Sequence, residues 1–221
     1  MILYVETNLI LAIAKGQDPE ATELLQNPLC DSVRIVIPSI CYMEALVAFE
    51  EDRQRRESFR KAMDQQLSEA RRDATAPDRL ALVSALSDAL VRYSNLLNDV
   101  EARFQMAVQA MSSRFEMVHL TPESLVCGLN ERFLSEQKQR RDNLVLQCIL
   151  HHARQYPNDR KILLTNDAAF WKDEIFSQPT PAKQALLDAG VDQHFTRTKN
   201  FLGWLQQELK IQGGTPESFD R

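Results

Sequence analysis

Four acidic residues stand where a parallel α/β fold would gather them. Glu6 directly follows a short apolar run, Ile2 to Val5, and Glu44 lies just beyond a second run, Arg34 to Ile37. Asp142 opens a strongly apolar stretch, and Asp167 follows a third run that ends at Thr165. Clustered carboxylates repel one another and hold their protons more tightly unless a cation neutralises them. Carboxylate oxygens are hard ligands that select Mg²⁺ or Mn²⁺ over zinc. The chemistry such a site supports is activation of water for in-line attack on a phosphodiester.

Asp142 carries a further signal. With Val145, Leu146, Ile149 and Ala153 it shares the i, i+3, i+4, i+7 face of a helix, the face expected to pack on a sheet. A carboxylate on that face is costly unless a cation satisfies it. Each acid also has a plain structural role open to it. Glu6 can accept from the helix that follows, Asp167 can N-cap, Glu44 can be an exposed helix residue, and Asp142 can complement a helix dipole. The conjunction of four in this placement is what favours chemistry.

Other residues could assist. Arg140 and Arg141 adjoin Asp142, and Lys172 follows Asp167 by five positions, so they are candidates to hold a phosphate, against ordinary surface charge. Phe170 and Trp171 could stack on a base, although neighbours of a buried strand more often pack in the core. His151 and His152 have no ligand spacing and read as packing or exposed residues. The four cysteines, Cys30, Cys41, Cys127 and Cys148, form no CxxC pair, and three lie in apolar stretches. They read as buried free thiols, which points to a reducing compartment and a cytoplasmic location.

The elements that must position these residues can be traced along the chain. Strands are expected at Ile2 to Val5, Arg34 to Ile37, Glu116 to Leu120, Lys161 to Thr165 and around His194 to Thr196. Thr7 or Asn8 should cap the first helix and Gly16 should end it, while Ser39 should cap the helix after Pro38. That helix should continue to about Asp73 and break at Ala76-Pro77. A second long helix carries an uninterrupted heptad seam: Val83, Leu86, Leu90, Tyr93, Leu97, Val100, Phe104, Ala107 and Met111. At 1.5 Å per residue each helix is on the order of 50 Å long, and the pair is expected to form an antiparallel hairpin. Its first arm offers a thinner apolar stripe, Phe59, Met63, Leu67 and Ala70, so contact with another subunit or partner is an alternative to self-packing. Helices are also expected from Asp142 to Gln155 and from Phe201 to Leu209.

The organisation is therefore α/β: one three-layer α/β/α domain with a central parallel sheet over residues 1–212. A helical-hairpin insertion spans 50–115 and a loose tail spans 213–221. The 221 residues suit one domain, and 44% hydrophobic with 26% charged residues excludes wholesale disorder. A net charge of −5 excludes binding nucleic acid through the overall field, so any such contact must be local. No apolar run reaches membrane-spanning length, and the first strand begins too early for a signal peptide.

Four segments, "LYVETNLIL", "IPSICYMEALVAF", "DNLVLQCIL" and "ILLTNDAAF", resemble in order the four acidic motifs of PIN domains. The resemblance implies a parallel sheet between helical layers and Mg²⁺- or Mn²⁺-dependent cleavage, usually of RNA. Carried over by motif, Glu6, Glu44, Asp142 and Asp167 become the metal-site acids, with Thr7, Asn8 and Asn166 as polar residues beside them. Many small bacterial members are toxins paired with an antitoxin, and others process RNA. Two departures stand out. The first acidic position is usually Asp, whereas this chain has Glu6, and one extra methylene displaces the carboxylate. The long hairpin is absent from minimal members. The expectation is an endoribonuclease in which water attacks phosphorus with no covalent enzyme intermediate. The alternatives are a catalytically weakened PIN-like scaffold that binds RNA or a protein through the hairpin, a homodimer among them, or a response-regulator-like acidic pocket.

Overall fold

The computed structural model describes residues 1–26, 32–131, 133–134, 140–173 and 178–213. Cys30 and the tail beyond Gly213 lie outside them. Ile2–Val5 (β1) is buried along its whole length and forms the middle of a five-stranded sheet. The other strands are Arg34–Pro38 (β2), Glu116–Val118 (β3), Lys161–Leu164 (β4) and Val191–Phe195 (β5). The spatial order is β3-β2-β1-β4-β5, and every pairing is parallel. A parallel sheet needs cover on both faces, which explains why β1 and β4 read as continuous apolar runs rather than alternating ones.

The chain builds outward from β1 through β2 to β3, then returns to lay β4 on the other side of β1. The strand order therefore reverses beside β1. In open α/β sheets, ligands bind in the crevice beyond the carboxyl ends of the strands at such a reversal. Glu6 follows β1 and Asp167 follows β4, so the fold brings these two acids to that crevice.

The first helix, Thr7–Lys15 (α1), corrects one expectation. Neither Thr7 nor Asn8 is its cap; Glu6 is, with extended backbone and a side chain accepting from the Asn8 N–H. Gly16 ends the helix as expected, in the left-handed region at φ 64°, where its N–H reaches the carbonyls of Ala12 and Ile13. Pro19–Gln26 (α2) was not anticipated; a proline in its first position marks its start. Ser39 does not cap the next helix either. Pro38 is still paired with Val118 of β3, so the helix starts at Ser39 with no side-chain cap.

The two long helices are Ser39–Arg72 (α3) and Arg79–Arg114 (α4), and they lie between β2 and β3 in sequence. They pack on each other, with Phe49 stacked on Phe104 at 4.1 Å and Phe59 edge-on to Tyr93 at 5.3 Å between ring centroids. The heptad seam is not uniform in depth. Val100, Phe104, Ala107 and Met111 are buried in the main core, whereas Val83 to Leu97 are only half-buried. The last turns of α4 thus belong to the body of the domain, clasped to α1 where Arg103 donates to the Ala14 carbonyl. Only the outer part of the hairpin projects.

Pro122–Asn130 (α5) and Pro181–Asp188 (α7) were also not anticipated, although each begins with a Thr cap followed by Pro. α5 matters because it fixes the start of Arg140–Gln155 (α6). A Cβ on Gly128 would stand 2.5 Å from the Cδ2 of Leu144, so the glycine lets that side chain lie against α5. Asn143, buried, donates to the carbonyls of Gly128 and Glu131 and holds the first turn of α6 against the end of α5. The last helix, Thr198–Gly213 (α8), is longer than the expected Phe201 to Leu209, and β5 begins three residues before His194.

Candidate active site at the sheet edge

Glu6, Thr7, Asn8, Glu44, Asp142 and Asp167 line one pocket of about 220 Å³, together with Leu11, Ala48, Arg141, Val145 and Phe170. All four predicted acids therefore face a common space, although they come from four separate parts of the chain. Three mechanisms bring them there. Glu6 and Asp167 sit past the ends of adjacent strands. Glu44 rides the second turn of α3, which starts where β2 stops. Asp142 occupies the first turn of α6, where the helix dipole favours a negative charge.

The polar neighbours knit these elements together. Thr7 Oγ1 donates to Glu44 Oε2 at 2.6 Å, tying the start of α1 to α3. Asn8 Nδ2 donates to Asn166 Oδ1 at 2.8 Å, tying α1 to the turn after β4. Asp167 Oδ1 accepts from the Ala169 N–H at 2.8 Å, which leaves its second oxygen for the pocket.

Glu6 is the most constrained of the four and is 6% exposed. Its Oε2 accepts from the Asn8 N–H at 2.7 Å and its Oε1 from Thr165 Oγ1 at 3.0 Å. Burial pushes its carboxyl up to about 7, and the nearby Asp167 adds to the rise, while the bonds from Asn8 and Thr165 oppose it. Burial also raises Asp142, reinforced by Asp167 and Glu44 and opposed by Arg141. Two of the four carboxyls thus sit where burial disfavours their charged form.

Of the three basic candidates, Arg141 is on the pocket wall and Arg140 and Lys172 are not. Phe170 is buried and lines the pocket. Trp171 stacks on His194 at 5.3 Å with Lys183 near its ring, so packing accounts for it. His152, buried against Tyr4 and bonded to its hydroxyl at 2.8 Å, reaches Glu116 at 3.1 Å; it braces the sheet far from the acids. Cys41 and Cys148 are buried free thiols and Cys127 is half-buried, also free.

Sequence reading missed Thr165. Its position between strand and Asn166-Asp167 gave a signal, since Ser and Thr at such turns bond their own backbone neighbours.

The wall offers carboxylates and no thiol or imidazole, a donor set that fits a hard divalent cation. Among the described residues, no three acidic, His or Cys side chains stand close enough to enclose an ion as they are placed. No helix among them is long and apolar enough to cross a membrane. In comparison with known proteins, a family model described as PIN domain matches residues 3–170. No curated protein and no solved structure matches the chain.

Proposed function

This chain belongs to the PIN-domain family, whose members are generally nucleases, and from that premise we propose that it is a Mg²⁺- or Mn²⁺-dependent endoribonuclease. The observation that carries the reading is the shared pocket: among the described residues, four carboxylates with a single arginine on its wall. Glu44, Asp142 and Asp167 would hold one or two cations, with Glu6 in the first or second shell. A bound divalent ion supplies Lewis acidity toward a phosphoryl oxygen and lowers the pKa of water. The chain's own residues do the rest. Arg141 offers a guanidinium to a phosphate at the pocket mouth. Asp142 and its neighbours would place that water for direct attack on phosphorus, without a covalent intermediate.

RNA is the substrate class the family favours, and a protein partner such as an antitoxin, or a second copy, would engage the outer hairpin. The compartment we propose is the cytoplasm, on the strength of the free thiols Cys41 and Cys148. The second reading, a scaffold with weakened catalysis, draws on one observation: both Glu6 oxygens are already bonded within the protein.

Cleavage of a mixed single-stranded RNA pool, with Mn²⁺, Mg²⁺ or EDTA, tests the proposal against Asp142→Asn. Cutting that needs metal and disappears in the variant supports the nuclease. A folded protein that cuts with neither metal points to the scaffold.

A further inference from the structure

Thr165 has every polar group engaged, and the bonds converge on the acidic pocket. Its N–H donates to the Phe195 carbonyl at 3.1 Å, and its carbonyl meets His194 Nε2 at 2.9 Å. Its hydroxyl donates to Glu6 Oε1 and accepts from the Asp167 N–H, each at 3.0 Å. The residue is 3% exposed. A buried hydroxyl used as donor and acceptor at once, with its backbone pinned to β5, has one orientation available.

We infer that Glu6 and Thr165 form a positioning pair: Glu6 anchors Thr165, and Thr165 fixes the turn that carries Asp167. Glu6 is not a direct metal ligand in this arrangement. One of its oxygens caps α1 and the other holds Thr165, so the carboxylate cannot turn to present both oxygens to a cation without breaking a buried hydrogen bond. The longer side chain has a use here. Glu6 spans the reversal between β1 and β4 and links the cap of α1 to the turn after β4. Asp167 remains the acid that faces the pocket, its orientation set by the Thr165 hydroxyl and by the Ala169 N–H. The consequence for metal rests on the nuclease reading; the clasp itself does not.

The test separates the two. Thr165→Val keeps the shape and removes the hydroxyl, and Thr165→Ser restores it. Glu6→Gln can still accept from Asn8 and donate to the Thr165 oxygen, but it cannot serve as an anionic ligand. In the metal-free protein, exchange of the Asp167 amide should be slow in wild type, Thr165→Ser and Glu6→Gln, and fast in Thr165→Val. An amide indifferent to Thr165→Val, in a variant whose circular dichroism matches wild type, overturns the clasp. In Mn²⁺ titration calorimetry, Thr165→Val should bind about 10–100-fold more weakly, as outer-shell partners do, with recovery in Thr165→Ser. Glu6→Gln should lose less affinity than Asp167→Asn. Equal losses would make Glu6 a ligand and overturn its assignment. If wild type neither takes up Mn²⁺ nor cuts RNA, the nuclease reading falls, and amide exchange still decides the clasp.

Discussion

The acidic pocket and the cavity in the hairpin make an instructive pair, because the larger of them is the one with balanced charge. The hairpin cavity, about 370 Å³, lies between α3 and α4 and is lined by Arg53, Arg56 and Arg60 among others. Each of these arginines is met by an acid one turn away: Glu50, Asp52 and Glu57. Lys15 joins Asp52 at 3.7 Å, and with Arg56 it outweighs the upward push of burial and holds that carboxyl low. At the sheet edge, about 220 Å³ is lined, among the described residues, by four carboxylates and one arginine, and there Glu6 and Asp142 are pushed up. The hairpin cavity exists because charged residues of α3 face the apolar seam of α4 near Leu97 and Val100, so the two helices cannot close. Carboxyls held above their ordinary range at a strand reversal, rather than volume, mark the candidate site.

Breaking the acidic pocket should have the largest effect. Asp142→Asn is expected to lower RNA cleavage by more than about 100-fold, beyond what loss of an outer-shell partner gives. Gel-based rates in Mn²⁺ measure it, and EDTA should match the variant. Next in size is the response to metal. Mn²⁺ at about a hundred times its dissociation constant should stabilise wild type by about 2.7 kcal/mol, and Asp142→Asn or Asp167→Asn far less, read as a thermal shift. Gly128→Ala should follow, changing stability by no more than about 1 kcal/mol in a denaturant titration, because the Cδ2 of Leu144 must turn aside while the helix gains propensity.

The pH dependence of the metal-free protein is a subtler probe of the same contrast. Glu6 titrates near 7 when folded, against an ordinary 4.5, so the native state binds more protons than the unfolded chain between those values. Its contribution to stability is full below about 4.5, falls as pH rises to about 7, and is flat above. Urea titrations from pH 5 to 8 should show this decline, and Glu6→Gln should flatten it. Glu116 and Asp52, held below ordinary carboxylate values, lose their contribution only in more acidic solution. The smallest effect is expected in the hairpin: replacing Arg53 and Arg60 by Gln should leave cleavage and thermal midpoint close to wild type, since their pairs with Glu50 and Glu57 are solvent-exposed. A large loss of cleavage there would instead assign the hairpin cavity a part in substrate binding.

The sequence by itself determined the five strand positions to within a few residues, the long hairpin and its break, and the four acids. β1, β2 and β4 are buried on both faces and so must be apolar, and the heptad seam repeats over many turns, so both signals are local and strong. It did not reveal α2, α5 or α7, whose eight or nine residues show too few turns for periodicity to stand out and only a Pro or Thr-Pro start as a mark. Three matters were decided by tertiary structure alone. The seam of α4 is continuous in sequence, yet its depth changes at Val100, because α1 and α2 cover one end and α3 alone faces the other. Glu6 became the cap of α1, with Thr7 turned instead to Glu44, because α3 stands beside the first turn. Thr165 gained its role from Glu6, 159 positions away in the chain. A hydrogen bond between residues so distant has no trace in local spacing; it exists only once β4 has paired with β1.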